Sequence, residues 1–473
     1  MVVGSIAKGC QVAVIGSGPG GYLAAIRLAQ LKKDVILIEA SDTLGGVCLN
    51  EGCIPSKALI HAADLLEEAS SAEKIGLDLT VGGVNMPTLI KWKDSIVKKL
   101  TGGVKFLTKK NGAEVIHGRA VFTGDRTLSV EGADGTQSIE FEQAVIATGS
   151  LPVQLKDFPV DGETVIGARE ALSLNSVPEK MVVIGGGYVG LELGSVYQRL
   201  GSRVHILEAS PNILSAHDKE LRDTAKDRLK AIGLNIHLGT KAKGLEKGNG
   251  ATKVVIIDSE GEEERLEADK VLVSVGRLPN VKGLGLDAAG VEQDEKGFIK
   301  VDNRMETNVS GIFAIGDVIG GPLLAHKAYR EAKVAAEVIA GNPSVFDNVV
   351  IPAVVYTEPE IAWAGLSETE AREQGYKVVT GTFPFRASGR AMTLNATDGF
   401  VKTVADAETK RILGVHIIGQ DASEMISEAA LAIEMNAYLD DLSQTIHPHP
   451  TLGEGLLESV EAALGEAIHV MNK

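Results

Sequence analysis

Two stretches of the chain repeat one alternation of apolar runs and glycine turns. Val12-Ala13-Val14-Ile15 is a short apolar run, followed by Gly16-Ser17-Gly18-Pro19-Gly20-Gly21 and a helix-forming stretch to about Leu31. A second apolar run, Val35-Ile36-Leu37-Ile38, closes on Glu39. Met181-Val182-Val183-Ile184 leads in the same way into Gly185-Gly186-Gly187-Tyr188-Val189-Gly190, a helical stretch to about Leu200, and Val204-His205-Ile206-Leu207-Glu208. Short β-branched runs bounded by glycine read as strands. In both copies the acidic residue falls 23 positions after the first glycine (16 to 39, 185 to 208).

The remaining third differs in texture. Ser310-Gly311-Ile312-Phe313-Ala314-Ile315-Gly316-Asp317 reads as a strand ending in a glycine turn and an aspartate, with helix-forming residues over 325–340. After Gly341-Asn342-Pro343, strand-like runs at 376–380, 400–404 and 412–418 mix with helical stretches at 423–436 and 452–468. Gly102-Gly103 interrupts an otherwise helical 86–110. The predicted fold class is α/β, with two Rossmann-like dinucleotide-binding domains and a C-terminal α+β domain.

Composition narrows the setting. A length of 473 residues suggests about three domains. The net charge of −16, with basic residues clustered only in pairs such as Lys98-Lys99 and Lys109-Lys110, speaks against nucleic acid or an anionic membrane as partner. The first eight residues carry neither a secretory apolar core nor an Arg-rich transit peptide, and no charge-free apolar run approaches a membrane span. Three cysteines suit a reducing cytosol better than a disulfide-built scaffold, so the expectation is a cytoplasmic protein. Cys10 enters an apolar strand and reads as a small core residue.

A lone Gly-x-Gly-x-x-Gly is weak evidence, but a strand before it, a helix after it and an acidic residue ending the next strand make it specific. The first glycine makes the tight turn, the second lets backbone approach a pyrophosphate, and the third allows close packing of strand and helix. Two such units imply two dinucleotides, with Glu39 and Glu208 accepting hydrogen bonds from ribose hydroxyls. At Glu208 a carboxylate suits a 2′-hydroxyl and repels a 2′-phosphate, which favours NAD over NADP. The nearest cation in that strand, Arg203, lies roughly 16 Å back along extended chain.

The candidate chemistry begins shortly after the first glycine motif, at Cys48 and Cys53 in Gly45-Gly46-Val47-Cys48-Leu49-Asn50-Glu51-Gly52-Cys53-Ile54-Pro55-Ser56-Lys57. A dithiol beside a flavin passes two electrons between a hydride carrier and a disulfide. A purely structural bridge over so short a loop would contribute only about 2 kcal/mol, and a zinc site would want a second cysteine pair. Pro55 fits the first turn of a helix, which places Cys53 near its positive end with Lys57 four residues on. Both features favour a thiolate at Cys53, although Lys57 also fits a solvated helix face.

Near the C-terminus stands His447-Pro448-His449-Pro450-Thr451-Leu452-Gly453-Glu454. Dithiol exchange needs a base, and a carboxylate can fix the tautomer of a histidine and raise its basicity. Two other readings compete. Thr451-x-x-Glu454 is also a helix capping box, and a His-x-His pair could bind metal, although no further ligand cluster accompanies it.

These motifs, together with Ala147-Thr148-Gly149, Val275-Gly276-Arg277-Leu278-Pro279-Asn280 and Gly311-Ile312-Phe313-Ala314-Ile315-Gly316-Asp317, occur in one order over essentially the whole chain. In that arrangement the chain resembles the flavoprotein disulfide reductase family, and in it the enzymes that oxidise dihydrolipoamide. The resemblance implies FAD at Gly16, Gly18, Gly21, Glu39, Lys57, Gly118, Gly149, Asp317 and Ala325. It implies NAD at Gly185, Gly187, Tyr188, Val189, Gly190, Glu208 and Gly276, with Tyr188 covering the nicotinamide site. Cys53 would face the flavin and Cys48 would exchange with dihydrolipoamide. Lys57 and Glu192 would pair beside the flavin, and His449 with Glu454 would be the catalytic dyad, supplied by the partner subunit of a homodimer, with His447 at most a support. The implied domains are 1–150 (FAD and dithiol), 151–280 (NAD), 281–350 (central, completing the FAD site) and 351–473 (dimerisation). The implied partner is a lipoyl-bearing acyltransferase or glycine-cleavage carrier protein, and no metal is expected. A glutathione-type reductase is disfavoured by Glu208. Mercuric and high-molecular-weight thioredoxin reductases would need redox residues that the last seven positions lack, and a purely structural subunit would not need the dithiol and dyad.

Overall fold

A computed structural model describes residues 8–215, 217–247 and 252–472; the reading of the first seven residues lies outside them. The chain forms two units by proximity. One gathers the chain up to Ala58 with Pro87–Val153 and Gly276–Asp347, and the other gathers Leu59–Met86, Gln154–Val275 and the chain from Asn348.

In the first unit the strand Lys8–Ile15 lies between Val35–Glu39 and Gly135–Ile146, parallel to both. Glu114–His117 extends the sheet beyond Val35–Glu39, and Ile312–Ala314 pairs in parallel with the end of Gly135–Ile146. The other half of that long strand instead continues antiparallel into Thr127–Gly132 and Arg119–Gly124. Val12, Val14, Leu37, Val145 and Phe313 face the helices Pro19–Gln30 and Ala325–Ile339, which pack on each other, while Ala13, Ile36, Ile38, Phe122 and Leu128 build a core on the opposite face. Burial on both faces is why these strands read as continuous apolar runs rather than as alternation.

In the second unit the parallel order is Asn235–Leu238, Arg203–Glu208, Lys180–Ile184, Lys270–Val273 and Val165–Ile166, flanked by the helix Tyr188–Arg199. The C-terminal portion is an antiparallel sheet ordered Ala353–Val355, Glu360–Gly365, Ile412–Gly419, Phe400–Asp406 and Val378–Pro384. The helices Ala422–Glu434 and Glu454–Leu464 pack on it. No helix among the described residues is long and apolar enough to cross a membrane.

Several boundaries differ from expectation. The helix Met86–Asn111 runs unbroken through Gly102-Gly103. Neither glycine meets anything within 4 Å where a side chain would begin, so they cost helix propensity, roughly 1 kcal/mol each, on an open face, while Thr101, Val104 and Thr108 bury the other. The last helix stops at Leu464 rather than 468 because Gly465 turns left-handed (φ 79°). The strand expected at 376–380 is Val378–Pro384.

Candidate active site

The two glycine turns share their geometry. Gly16 and Gly185 have φ of 96° and 107°, and a Cβ on either would stand 2.5 Å from the carbonyl oxygen of Ala147 or Ser274. A Cβ on Gly21 or Gly190 would sit 1.8 or 2.0 Å from the carbonyl of Gly16 or Gly185. Only glycine lets each helix seat so closely on its strand turn. The middle glycines, Gly18 and Gly187, are extended N-caps of Pro19–Gln30 and Tyr188–Arg199, with open space where a side chain would be. That clearing at a helix N-terminus fits the pyrophosphate of a dinucleotide.

The acidic residues are held alike. Glu39 accepts from the Ser17 N–H at 2.8 Å and the Ser17 hydroxyl at 2.6 Å through Oε2, and from the Ser41 N–H at 2.8 Å through Oε1. Glu208 accepts from the Gly186 N–H at 2.9 Å through Oε2 and the Ser210 N–H at 2.7 Å through Oε1. Each carboxylate is thus fixed at the rim of its glycine turn. Tyr188 and Val189 open the second helix, both substantially exposed, and Tyr188 contacts Trp363 with ring centroids 6.2 Å apart. Gly276 takes φ 118°.

The dithiol is docked onto the first turn. Cys48 lies in the short helix Gly46–Glu51 and Cys53 opens the helix Cys53–Ser71. The Gly45 N–H donates to the Ser17 carbonyl at 2.9 Å, and a Cβ on Gly46 would fall 2.6 Å from Gly18 Cα. Asn50 clamps the segment by donating to the Gly46 and Leu44 carbonyls at 2.9 and 3.2 Å. The sulfurs are unlinked, Cys48 half-buried and Cys53 exposed. A hydrogen bond with Cys53, reinforced by burial and the Cys53 charge, pushes the Cys48 thiol far up, against the pull of Lys57. The two thiols thus share a proton through that hydrogen bond rather than titrating independently.

Other expected FAD contacts also lie in this unit. Asp317, in the turn Gly316–Ile319, accepts the Ser150 hydroxyl at 2.5 Å. Gly149 takes φ 72° beside open space. Ala325 is the first residue of Ala325–Ile339, a helix anchored by the buried Lys327–Glu331 pair at 2.6 Å and by the Gly316 N–H donating to Glu331 at 2.8 Å. Gly118 differs: its N–H donates to the Glu39 carbonyl at 2.8 Å, and a Cβ there would strike Val130 and Glu131. Its need for glycine is explained by packing alone. Lys57 belongs to this unit and Glu192 to the other, where Glu192 is buried and accepts the Tyr356 N–H at 3.0 Å.

The C-terminal histidines separate by environment. His447 is buried, with Nε2 2.9 Å from Glu428 and Nδ1 2.9 Å from the Thr445 carbonyl, so both ring nitrogens are engaged. His449 has a side chain 79% exposed and spends only Nδ1, 2.8 Å from Glu454 Oε1. Glu454 Oε2 accepts the Thr451 N–H at 2.7 Å. The two readings of Glu454 are thus combined, one oxygen per role. The capping box itself is half-formed, because the Thr451 hydroxyl donates to the Pro448 carbonyl instead. Burial would raise the Glu454 carboxyl, but the Thr451 N–H and His449 outweigh it and hold it below its usual range.

Sequence reasoning missed two partly buried networks. Arg277 donates to Ser150, which donates to Asp317; Arg277 stood in a quoted motif, but nothing in its spacing pointed to Ser150. Lys402, in the fully buried strand Phe400–Asp406, lies 2.8 Å from Glu368 and 3.3 Å from Asp218. Asp218 is held at about 2: burial would raise it, but hydrogen bonds from Thr369 and the Glu368 N–H, and Lys402, prevail.

Comparison with known proteins agrees with this geometry. Residues 10–332 match the pyridine nucleotide-disulphide oxidoreductase family, and 351–460 match its dimerisation domain. The chain is 50% identical to the dihydrolipoyl dehydrogenase of Thermus scotoductus, over 98% of this chain and 100% of that one. It is 46% identical to that of Halobacterium salinarum and 47% to that of Geobacillus stearothermophilus, each over the full length of both chains. Among solved structures, LpdA from Mycobacterium tuberculosis matches with a TM-score of 0.88 at 25% identity, covering 95% of this chain and 99% of the other. The flavoprotein disulfide reductase RclA of Escherichia coli matches at 0.85 and 28%, covering 95% and 99%. The chain belongs to the pyridine nucleotide-disulphide oxidoreductase family, among its dihydrolipoyl dehydrogenases.

Proposed function

We propose that this chain oxidises protein-bound dihydrolipoamide to lipoamide and reduces NAD⁺ to NADH, using FAD and the Cys48–Cys53 couple. The observation that carries the reading is the hydrogen-bonded dithiol docked on a glycine turn whose open middle position suits a dinucleotide. FAD, held by Gly16, Gly18, Gly21, Glu39, Lys57, Gly118, Gly149, Asp317 and Ala325, supplies two-electron transfer between the thiols and the nicotinamide. Gly185, Gly187, Val189, Gly190, Glu208 and Gly276 bind NAD, Tyr188 covers the nicotinamide site, and Lys57 and Glu192 are catalytic side chains.

The thiol steps follow from the residues. With Cys48 and Cys53 joined as a disulfide, His449 Nε2 takes a proton from dihydrolipoamide. The resulting thiolate attacks the Cys48 sulfur, forming a mixed disulfide and releasing Cys53 as thiolate. The second substrate thiol loses its proton and attacks its own partner sulfur, so lipoamide leaves and Cys48 departs and takes up a proton. The Cys48 thiol and Cys53 thiolate that remain share that proton through their hydrogen bond. Overall, dihydrolipoamide and NAD⁺ give lipoamide, NADH and H⁺.

The dimerisation-domain match supports a homodimer. His449 is assigned to the dithiol of the partner subunit: it is solvent-facing on its own chain and lies near Ile446, an apolar side chain 95% exposed. The domain limits are 1–150, 151–280, 281–350 and 351–473. The partner is a lipoyl-bearing acyltransferase or glycine-cleavage carrier, and the setting is the cytoplasm. The test mixes the FAD-loaded dimer with dihydrolipoamide and NAD⁺ and follows NADH; absence of turnover overturns the reading. Cys48→Ser should stop lipoamide turnover while NADH still reduces the flavin, and co-purification identifies the lipoyl partner.

A further inference from the structure

Behind Asp317 lies a partly buried chain of hydrogen bonds from an element distant in sequence. The strand Arg277–Pro279 pairs antiparallel with Ser150–Pro152. From it the Arg277 guanidinium reaches back to Ser150, donating through Nε to the hydroxyl and through Nη2 to the carbonyl, each at 2.7 Å. Ser150 is 5% exposed and its hydroxyl donates onward to Asp317 Oδ2 at 2.5 Å.

The direction of this chain is forced. A guanidinium only donates and remains charged at any pH the enzyme meets, while a serine hydroxyl has a single hydrogen. Accepting from Arg277, Ser150 must place that hydrogen on Asp317. The carboxylate is thereby pinned through Oδ2 and faces a partly neutralising cation one hydroxyl away, while Oδ1 is left as an acceptor. Burial weakens the hold of Arg277 on its proton, but Asp317, Cys53 and Glu51 lie within electrostatic reach and favour the charged form.

We propose that Arg277 and Ser150 are positioning residues that fix the orientation of Asp317 and thereby retain FAD. This rests on the assignment of Asp317 as an FAD contact, and the test separates the two. FAD release from the holoenzyme dimer is followed on dilution by the rise of free-flavin fluorescence, alongside the melting temperature. Ser150→Ala and Arg277→Lys, which keeps the charge but loses the fork, should each speed release about tenfold, the scale of one charge-assisted hydrogen bond. Asp317→Asn should release FAD at least as fast. If Asp317→Asn releases FAD rapidly while both other variants match wild type, the relay is overturned and the Asp317 assignment stands. If Asp317→Asn also matches wild type, the assignment falls and the proposal with it. Release that accelerates only in proportion to a lowered melting temperature reduces Arg277 and Ser150 to structural residues and likewise overturns the proposal.

Discussion

Replacing Glu454 with glutamine separates the helix cap from the dyad. An ionised carboxylate only accepts, so with Glu454 Oε1 2.8 Å away, His449 Nδ1 must carry the hydrogen and the exposed Nε2 is left as the base. A glutamine has one acceptor and one donor for two neighbours. With its oxygen toward the Thr451 N–H, 2.7 Å away in the wild type, its amide donates to Nδ1 and moves the ring hydrogen to Nε2. The opposite orientation sets a donor against the Thr451 N–H, a loss of roughly 1–3 kcal/mol, so at least about eight molecules in ten hold the unproductive tautomer. The lost charge matters less: with His449 79% exposed, the ion pair is worth under about 1 kcal/mol. A general base contributes roughly 10²–10⁴ in rate. Dihydrolipoamide turnover in Glu454→Gln should therefore fall by about one to two orders of magnitude. The rate of flavin reduction by NADH should not change, and the melting temperature should move little because the Thr451 N–H keeps an acceptor. Turnover within about twofold of wild type, measured in both directions, would falsify the dyad and leave Glu454 a helix cap.

Three further perturbations test other parts of the structure. Gly190→Ala should abolish NADH formation while dihydrolipoamide still reduces the flavin, because its Cβ would stand 2.0 Å from the Gly185 carbonyl oxygen; normal NAD⁺ affinity would contradict the close packing described. Glu208→Ala should raise the NADPH-to-NADH ratio of kcat/KM by about tenfold, read in steady state. Lys402→Met leaves the largely buried Asp218 without its cation, while Glu368 keeps Arg372, and should cost about 1–3 kcal/mol in denaturant unfolding. The depressed Asp218 carboxyl gives stability that is full above pH about 4 and lost as pH falls toward about 2. In the Lys402 variant that acid limb should flatten, and an unchanged limb would assign the depression to Thr369 and the Glu368 N–H alone.

The nucleotide turns were legible because backbone sterics dictate them. Only glycine fits at Gly16, Gly21, Gly185 and Gly190, and a strand, turn, helix and strand of ordinary length bring Glu39 and Glu208 back to the turn. The same rule misled at Gly102-Gly103, where glycine punctuation counted for less than the buried face of a long helix. Contacts that skip far along the chain left no local trace. Ser150 meets Arg277 across 127 positions and Asp317 across 167, and Lys402 meets Asp218 across 184. The difference between His447 and His449 was also hidden, since both stand in one dipeptide repeat and only Glu428, 19 residues upstream of His447, separates the buried ring from the free one.

The bonds that tie Glu208 to Gly186 and Ser210 also constrain how this protein could change its cofactor. Drift toward a cofactor phosphorylated at the adenosine 2′-position needs the carboxylate gone, yet its removal strands two backbone N–H groups at the glycine turn. A small apolar residue there would weaken the turn even as it relaxes the choice of cofactor. A neutral acceptor such as glutamine would satisfy one of the two N–H groups and so cost the turn less. Cofactor choice at Glu208 is therefore tied to the folding of the turn as well as to recognition.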